Sequence, residues 1–391
     1  MKKFFYLILL LLGSISAQSQ SLTLSDNAEI SILTIGPGKY LYDKFGHSAF
    51  RVHDPATGLD IVFNYGVYDF DTPNFYTKFA QGKLRYKLAV SPFQPFFDSY
   101  VAQNRWVKEQ TLHLTYAQKR AVFDFLRENA QPENQYYQYD FFYDNCATKI
   151  RDVLKRTLGE DLQYNDNFVD EQYSFRELIQ KNVHWNTWGS LGMGIAIGAV
   201  VDQPATAWEY QFLPDYVYRA ADTATLATAP NGDALVANTV TLFNNAPTAQ
   251  QVNFLTSPVF VFGLLGLLIL FITFRDYKNK SRSKVTDATI LFLTGIIGTV
   301  LALLRFATDH DATANNYNLL WAFPFSLFVV FAIAKTYPKT WVRRYIIFLL
   351  LLLVLLCIHW ITGVQSFPPA LSPLLLALAV RYGYLIAFLK K

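Results

Sequence analysis

Hydrophobic and polar positions follow three different rhythms along this chain of 391 residues. The first is a short apolar run. Met1-Lys2-Lys3 leads into apolar residues from Phe4 to Leu12, then small and polar ones through Ala17-Gln18. A basic start, an apolar core and a small-residue end predict a secretory signal peptide over residues 1–17, an uncleaved anchor being the alternative. No cysteine follows the apolar core, so the segment is not itself a lipoprotein signal.

The second rhythm fills residues 18–257 and mixes periods of two and of about 3.6. Residues 28–35 predict a strand that Gly36-Pro37-Gly38 ends. From His47 the chain alternates: Phe50 and Val52 share one face, and His47, Ala49, Arg51 and His53 the other. A turn from Asp54-Pro55 to Gly58 joins this strand to a second, Asp60 to Tyr65, as a hairpin. Leu84 to Val90 is a further strand, 91–104 a helix, Val107 to Leu114 extended, and Tyr116 to Ala130 a helix. Behind Tyr143-Asp144-Asn145-Cys146, the residues Ile150, Val153, Leu154 and Leu158 recur at helical spacing. Asn145 or Asp144 caps that helix, and Cys146 falls in its first turn. The fold class expected for this part is α+β. Residues 191–201 are apolar and Gly-rich but lack the strand–turn–helix setting of a dinucleotide loop. They are too short to cross a bilayer and are expected to be buried or to touch the membrane. Asp202 and the turn Phe212-Leu213-Pro214 are read as loop packing rather than as closure of a site.

The third rhythm begins near Pro258, where long apolar runs alternate with short loops. Five spans are expected, at about 258–274, 286–306, 319–335, 345–362 and 369–388, each near the length that crosses a hydrocarbon core. The fifth is the weakest, because Pro368, Pro369, Pro373 and Arg381 interrupt it. Arg275, Lys278, Lys280, Arg282 and Lys284 follow the first span, and Lys335, Lys339, Arg343 and Arg344 the third. The loops 307–318 and 363–368 carry no Lys or Arg. The positive-inside rule puts the basic loops in the cytoplasm and residues 18–257 outside, in agreement with the signal peptide. The expected topology is multi-pass, with the large domain outside the cytoplasm. The formal net charge of +4 resides largely in the cytoplasmic loops, so it implies no nucleic-acid partner.

Chemistry enters with the two cysteines. Cys357 lies within the fourth span, so Cys146 is an unpaired thiol in an oxidising compartment, a liability unless buried or used. At a helix N-terminus the unsatisfied N–H groups and the dipole favour its thiolate, although a small buried apolar residue would also suit the position. A thiol nucleophile needs a base and an orienting group. His47, preceded by Gly46, is the candidate base, and Asn64 on the partner strand of the hairpin is placed to hold its ring. His47 and His53, roughly 20 Å apart along one strand, cannot share a metal ion. No metal and no cofactor is expected. His113 and His184 are read as structural. Outside the membrane, the loop holding Asp309, His310, Asn316 and Trp321 is a candidate for binding a headgroup or amine, or else solvated loop and aromatic belt. Arg51 and Asn145 complete the substrate-binding candidates. Arg305 and His359 are weaker ones at the outer membrane edge and within the fourth span.

The order of His strand, polar residue on the next strand and Cys at a helix start resembles circularly permuted papain-like hydrolases and acyltransferases, among them the lecithin:retinol acyltransferase-like proteins. Tyr42-Asp43-Lys44-Phe45-Gly46-His47-Ser48-Ala49-Phe50-Arg51-Val52 and Asp144-Asn145-Cys146-Ala147-Thr148 look like the periplasmic domain of the lipoprotein N-acyltransferase family known as Lnb. The spans and the outside loop Asp309 to Trp321 fit that family too. The resemblance implies a permuted papain-like periplasmic domain followed by a five-helix transmembrane bundle, in a multi-pass protein of the bacterial inner membrane. It also implies acyl transfer from a phospholipid to the α-amine of a lipoprotein's diacylglyceryl-cysteine, with Cys146 as nucleophile and His47 as base. The expected partners are therefore a phospholipid donor, a diacylated lipoprotein acceptor and the bilayer. A membrane-bound periplasmic cysteine hydrolase (amidase, peptidase or phospholipase) and a non-enzymatic interaction protein with an inert Cys146 are the alternatives.

Overall fold

A computed structural model describes residues 23–68, 72–227, 234–245 and 253–390. The expected signal peptide lies outside the described residues. Among the described residues the soluble part is built on a sheet of seven strands: β1 (Glu29–Ile35), β2 (His47–Asp54), β3 (Leu59–Val67), β4 (Arg85–Pro92), β5 (Val107–Leu112), β6 (Tyr136–Gln138) and, after the separate two-residue pair β7 (Leu162–Gln163) and β8 (Thr225–Leu226), β9 (Val236–Phe243). They form one antiparallel sheet in the order β6-β4-β3-β2-β1-β5-β9.

The alternation along each strand decides what covers the two faces. On one face Ile30, Ile32, Phe50, Val52, Phe63 and Tyr65 pack against a layer of two long helices. The short helix α1 (Phe75–Ala80) and α2 (Phe93–Ala102) precede these in the chain; the layer itself is α3 (Tyr116–Asn129) and α4 (Cys146–Leu158). On the other face Leu33, Ile35, Ala49 and Val62 meet Phe93 and Phe96 of α2. Each fully buried side chain of this kind stabilises the fold by about 1.5–3 kcal/mol. The sheet is therefore sandwiched at its centre, where β2 and β3 sit.

The later helices α5 (Phe175–Asn182), α6 (Trp188–Ala196), α7 (Ala207–Tyr210) and α8 (Pro214–Thr223) form an aromatic-rich appendage. It joins the membrane half, where four helices are long and apolar enough to cross a bilayer: α9 (Pro258–Lys278), α10 (Lys284–Phe306), α12 (Thr340–Ile361), and α13 (Ser372–Phe388) with the turn that starts at Pro369. The third expected span is not a continuous helix. It is a 3-10 turn at Tyr317–Leu320 followed by the eight-residue α11 (Ser326–Ile333), because Pro324 has no N–H to donate at the junction. The chain still reaches the basic end through this segment, since Arg282 donates to the carbonyls of Ile333 and Lys335.

The fifth expected span is intact. Its Arg381 is fully buried and meets Asp276 at 2.9 Å and Asp287 at 2.7 Å, while Arg282 meets Asp287 at 3.1 Å. A charge in a low-dielectric interior persists only when paired, and this network pairs it across α9, α10 and α13. At the opposite end both basic-free loops touch the soluble domain. The Asp309 N–H donates to Gln81 at 2.9 Å, and the Ser366 N–H to the Asp202 carboxylate at 3.0 Å. The segment 191–201 bridges the two halves as α6 and a following 3-10 turn. Its Ile195 and Ala196 carbonyls accept from the Asn316 amide, and its Gly198 N–H donates to Ala312.

Candidate functional site

Cys146 opens α4 because the sequence before it is a strong helix start. The Asn145 carboxamide oxygen accepts from Ala147 and Thr148 N–H at 2.8 and 3.0 Å, and the Thr148 hydroxyl accepts from Asn145 N–H at 2.8 Å. This reciprocal cap satisfies three of the donors that a helix N-terminus leaves orphaned. Among the described residues no cap side chain takes the N–H of Cys146 itself. The Asn145 amide nitrogen is spent as well, on the carbonyls of Phe141 at 2.6 Å and Phe212 at 2.9 Å. Asn145 thus ties the start of α4 to the loop before α8, and all its polar atoms serve the fold.

His47 opens β2 and faces the α2 side, as its alternation with Ala49 requires. Gly46 before it sits at φ +82°, and a Cβ there would come within 2.7 Å of the Ile35 carbonyl. Only glycine lets the chain turn so closely into the strand. Asn64 lies on the same face of β3, next to the bulge that interrupts its pairing with β4. Its Oδ1 is 2.7 Å from His47 Nε2, which leaves Nδ1 of the ring for the thiol of Cys146. Gly66 makes the bulge fit: it sits at φ +89°, and a Cβ there would lie 3.5 Å from Cys146 Cβ. The Tyr100 ring of α2 stacks on His47 with centroids 6.1 Å apart.

The electrostatics follow from this packing. Burial alone would push the Cys146 thiol up, but the neighbouring His47 charge, its hydrogen bond and the backbone at Ser48 and Ala147 outweigh it and hold the thiol below its ordinary range. Burial alone would lower His47; the adjacent thiolate, its hydrogen bond and Asn64 raise it above the usual imidazole range. Each group thus favours the charged form of the other. Burial pushes the Tyr100 hydroxyl up to about 12, so that ring stays neutral beside the pair.

The pair opens into a cavity of about 780 Å³, within the size range of small-molecule sites. Its walls are aromatic, with Tyr42, Tyr68, Tyr86, Tyr139, Phe141 and Phe212 among them. Of the residues expected to bind substrate, the structure brings only Asn145 here, in a capping role. Arg51 is engaged elsewhere: it meets Asp60 at 2.8 Å and Glu109 at 3.0 Å, with its guanidinium carbon 3.5 Å from the centre of the Phe93 ring. Among the described residues lining the cavity, none belongs to the outside loop. Asp309 and His310 dock on Gln81 and Ala80, Asn316 holds α6, and buried Trp321 donates to Asn318 at 2.9 Å. That loop is a joint between the halves. Of the weaker candidates, His359 hydrogen-bonds the Leu355 carbonyl one turn back, and Asp202 pairs with Arg176 at 2.8 Å. Phe212 and Pro214, read from sequence as loop packing, do line the cavity.

No group of three or more His, Cys, Asp or Glu side chains placed to hold a metal is found among the described residues. Sequence reasoning missed Gly66, Tyr100, Tyr139 and Arg105. The glycine two positions after Asn64 was the one available signal, since a glycine inside a strand marks a bulge or a close approach.

An α+β domain with a His–Asn pair and a cysteine at one aromatic cavity, joined to a set of helices long and apolar enough to cross a bilayer, is the architecture of a membrane protein. Comparison with known families makes this specific. The Lnb N-terminal periplasmic domain matches residues 18–181, and the Lnb transmembrane domain matches residues 249–391. The chain belongs to the Lnb family, and so is a bacterial membrane protein with a periplasmic domain. No curated protein and no solved structure matches the chain.

Proposed function

We propose that this chain is a lipoprotein N-acyltransferase of the bacterial inner membrane. It moves a fatty acyl chain from a phospholipid through a Cys146 thioester to the α-amine of a lipoprotein's diacylglyceryl-cysteine. The observation that carries the reading is the Cys146–His47–Asn64 set at an aromatic cavity of a domain docked on membrane helices. In this scheme the Cys146 thiolate attacks the ester carbonyl, and the C–S bond forms. The cap occupies the N–H groups of Ala147 and Thr148 and leaves that of Cys146, which in this scheme donates to the developing oxyanion. As the C–O bond breaks, the imidazolium of His47 gives its proton to the departing lysophospholipid oxygen. The lipoprotein amine then attacks the thioester. The C–S bond breaks, the amine proton passes to His47, and the thiolate–imidazolium pair is restored. Asn64 keeps the ring in register through both proton transfers. The aromatic walls suit an acyl chain, and the membrane helices keep both lipid substrates beside the cavity.

The test is mass spectrometry of lipoprotein N-termini in a host depleted of its own N-acyltransferase. Wild type restores the N-acyl chain, and Cys146→Ala, expressed and folded, does not. Lipoprotein N-termini left unacylated by folded wild-type protein would sink the reading. Released free fatty acid in place of N-acylation would point instead to a hydrolase.

A further inference from the structure

Arg105 is buried at 5 % exposure in the loop before β5, and it lines the same cavity as Cys146 and His47. Its Nε donates to the Gly36 carbonyl at 2.8 Å, and Nη1 reaches Gln103 Oε1 at 3.4 Å. Its Nη2 is buried without a hydrogen-bond partner among the described residues. No carboxylate pairs with it there either. Asp43, also on the cavity wall, acts on it only as a more distant charge, and its own Oδ1 is likewise unpartnered. Burial holds the guanidinium below its ordinary pKa, as expected of a charge whose compensation is incomplete. Its guanidinium carbon lies over Tyr100, 4.9 Å from the ring centre, and Tyr100 in turn stacks on His47. One aromatic ring therefore separates this cation from the imidazole. Exposed Lys39 lines the same cavity. A buried guanidinium with a spare donor, beside a reactive thiol in an aromatic cavity, matches a ligand that joins an anion to an acyl ester through a few bonds.

We infer that Arg105 binds the phosphodiester of the acyl-donor phospholipid and selects phosphate-bearing lipids over neutral glycerides. This rests on the acyl-transfer reading for the identity of the donor, but binding can be measured without turnover. The full chain carrying Cys146→Ala in detergent micelles is titrated with four probes: a dihexanoyl glycerophospholipid, dihexanoylglycerol, glycerol 3-phosphate and inorganic phosphate. The same titrations are run with Arg105→Gln and Arg105→Lys added. The expected result is a roughly ten- to a hundredfold loss of phospholipid affinity in the Arg105→Gln protein, the range of one charge-assisted pair. Dihexanoylglycerol affinity stays within about twofold, and Arg105→Lys recovers part of the loss. The ratio of the two lipid affinities carries the test, because a partly misfolded variant loses both alike. An unchanged ratio overturns the inference and leaves Arg105 as a structural tie to Gly36. Inorganic phosphate or glycerol 3-phosphate binding as tightly as the phospholipid also overturns it, by showing a site for free phosphate. Thioester formation from a tagged phospholipid is read separately on the protein with Cys146 intact. Its absence alongside Arg105-dependent lipid binding sinks the acyl-transfer reading alone.

Discussion

Asn64→Ala removes the acceptor 2.7 Å from His47 Nε2 and nothing else from the pair. A hydrogen bond to a charged group contributes about 1.5–3 kcal/mol, and each ~1.4 kcal/mol is a factor of ten in rate. If that bond holds the imidazolium through both proton transfers, thioester formation falls roughly 10- to 100-fold. The same change has a sign that a merely structural role would not produce. Asn64 raises the His47 pKa, and the His47 charge lowers that of Cys146. Without Asn64 the imidazolium is less favoured, so His47 falls and Cys146 rises. The assay is iodoacetamide alkylation of Cys146 as a function of pH, followed by intact mass, beside thioester formation from a tagged phospholipid. Wild-type alkylation sets in below the ordinary thiol range, and the Asn64→Ala profile moves to higher pH. Asn64→Asp restores an acceptor with a full charge and moves the profile back or lower. Alkylation profiles and thioester rates that superimpose on wild type would refute the reasoning, because the imidazolium would then owe nothing to Asn64.

Three further outcomes follow from the packing. Asn145→Ala deletes the cap of α4 and two loop tethers; stability drops by about 1–2 kcal/mol in chemical unfolding, with slower Cys146 alkylation as the helix start loosens. Gly66→Ala places an L-residue at φ +89°, a strain of about 1–3 kcal/mol, so thioester formation falls while the membrane half keeps its helix content by circular dichroism. Arg381→Leu leaves Asp276 and Asp287 without their shared buried cation; thermal unfolding in detergent shows a loss of about 3–5 kcal/mol, and a melting curve like that of wild type would mean the carboxylates find other partners.

The chain's own pattern determined a good deal. Period-two alternation in β2 and β3 put His47 and Asn64 on one face, and the helical spacing behind Cys146 put the thiol at a helix start, because both are local consequences of backbone geometry. The Lys and Arg of the loops divided the membrane half into two sides, since charge is costly to move across a bilayer. What sequence could not supply were distances between elements far apart in the chain. That Arg51 is consumed by Glu109, that the loop at Asp309 is a joint rather than a wall of the site, and that Arg105 turns into the cavity all depend on strands and helices meeting across the fold. Composition alone also missed the break inside the third span, because apolar residues set length while Pro324 sets continuity. Arg381 was read as an interruption for the converse reason: its cost is set by partners on α9 and α10, and only packing brings those carboxylates within reach.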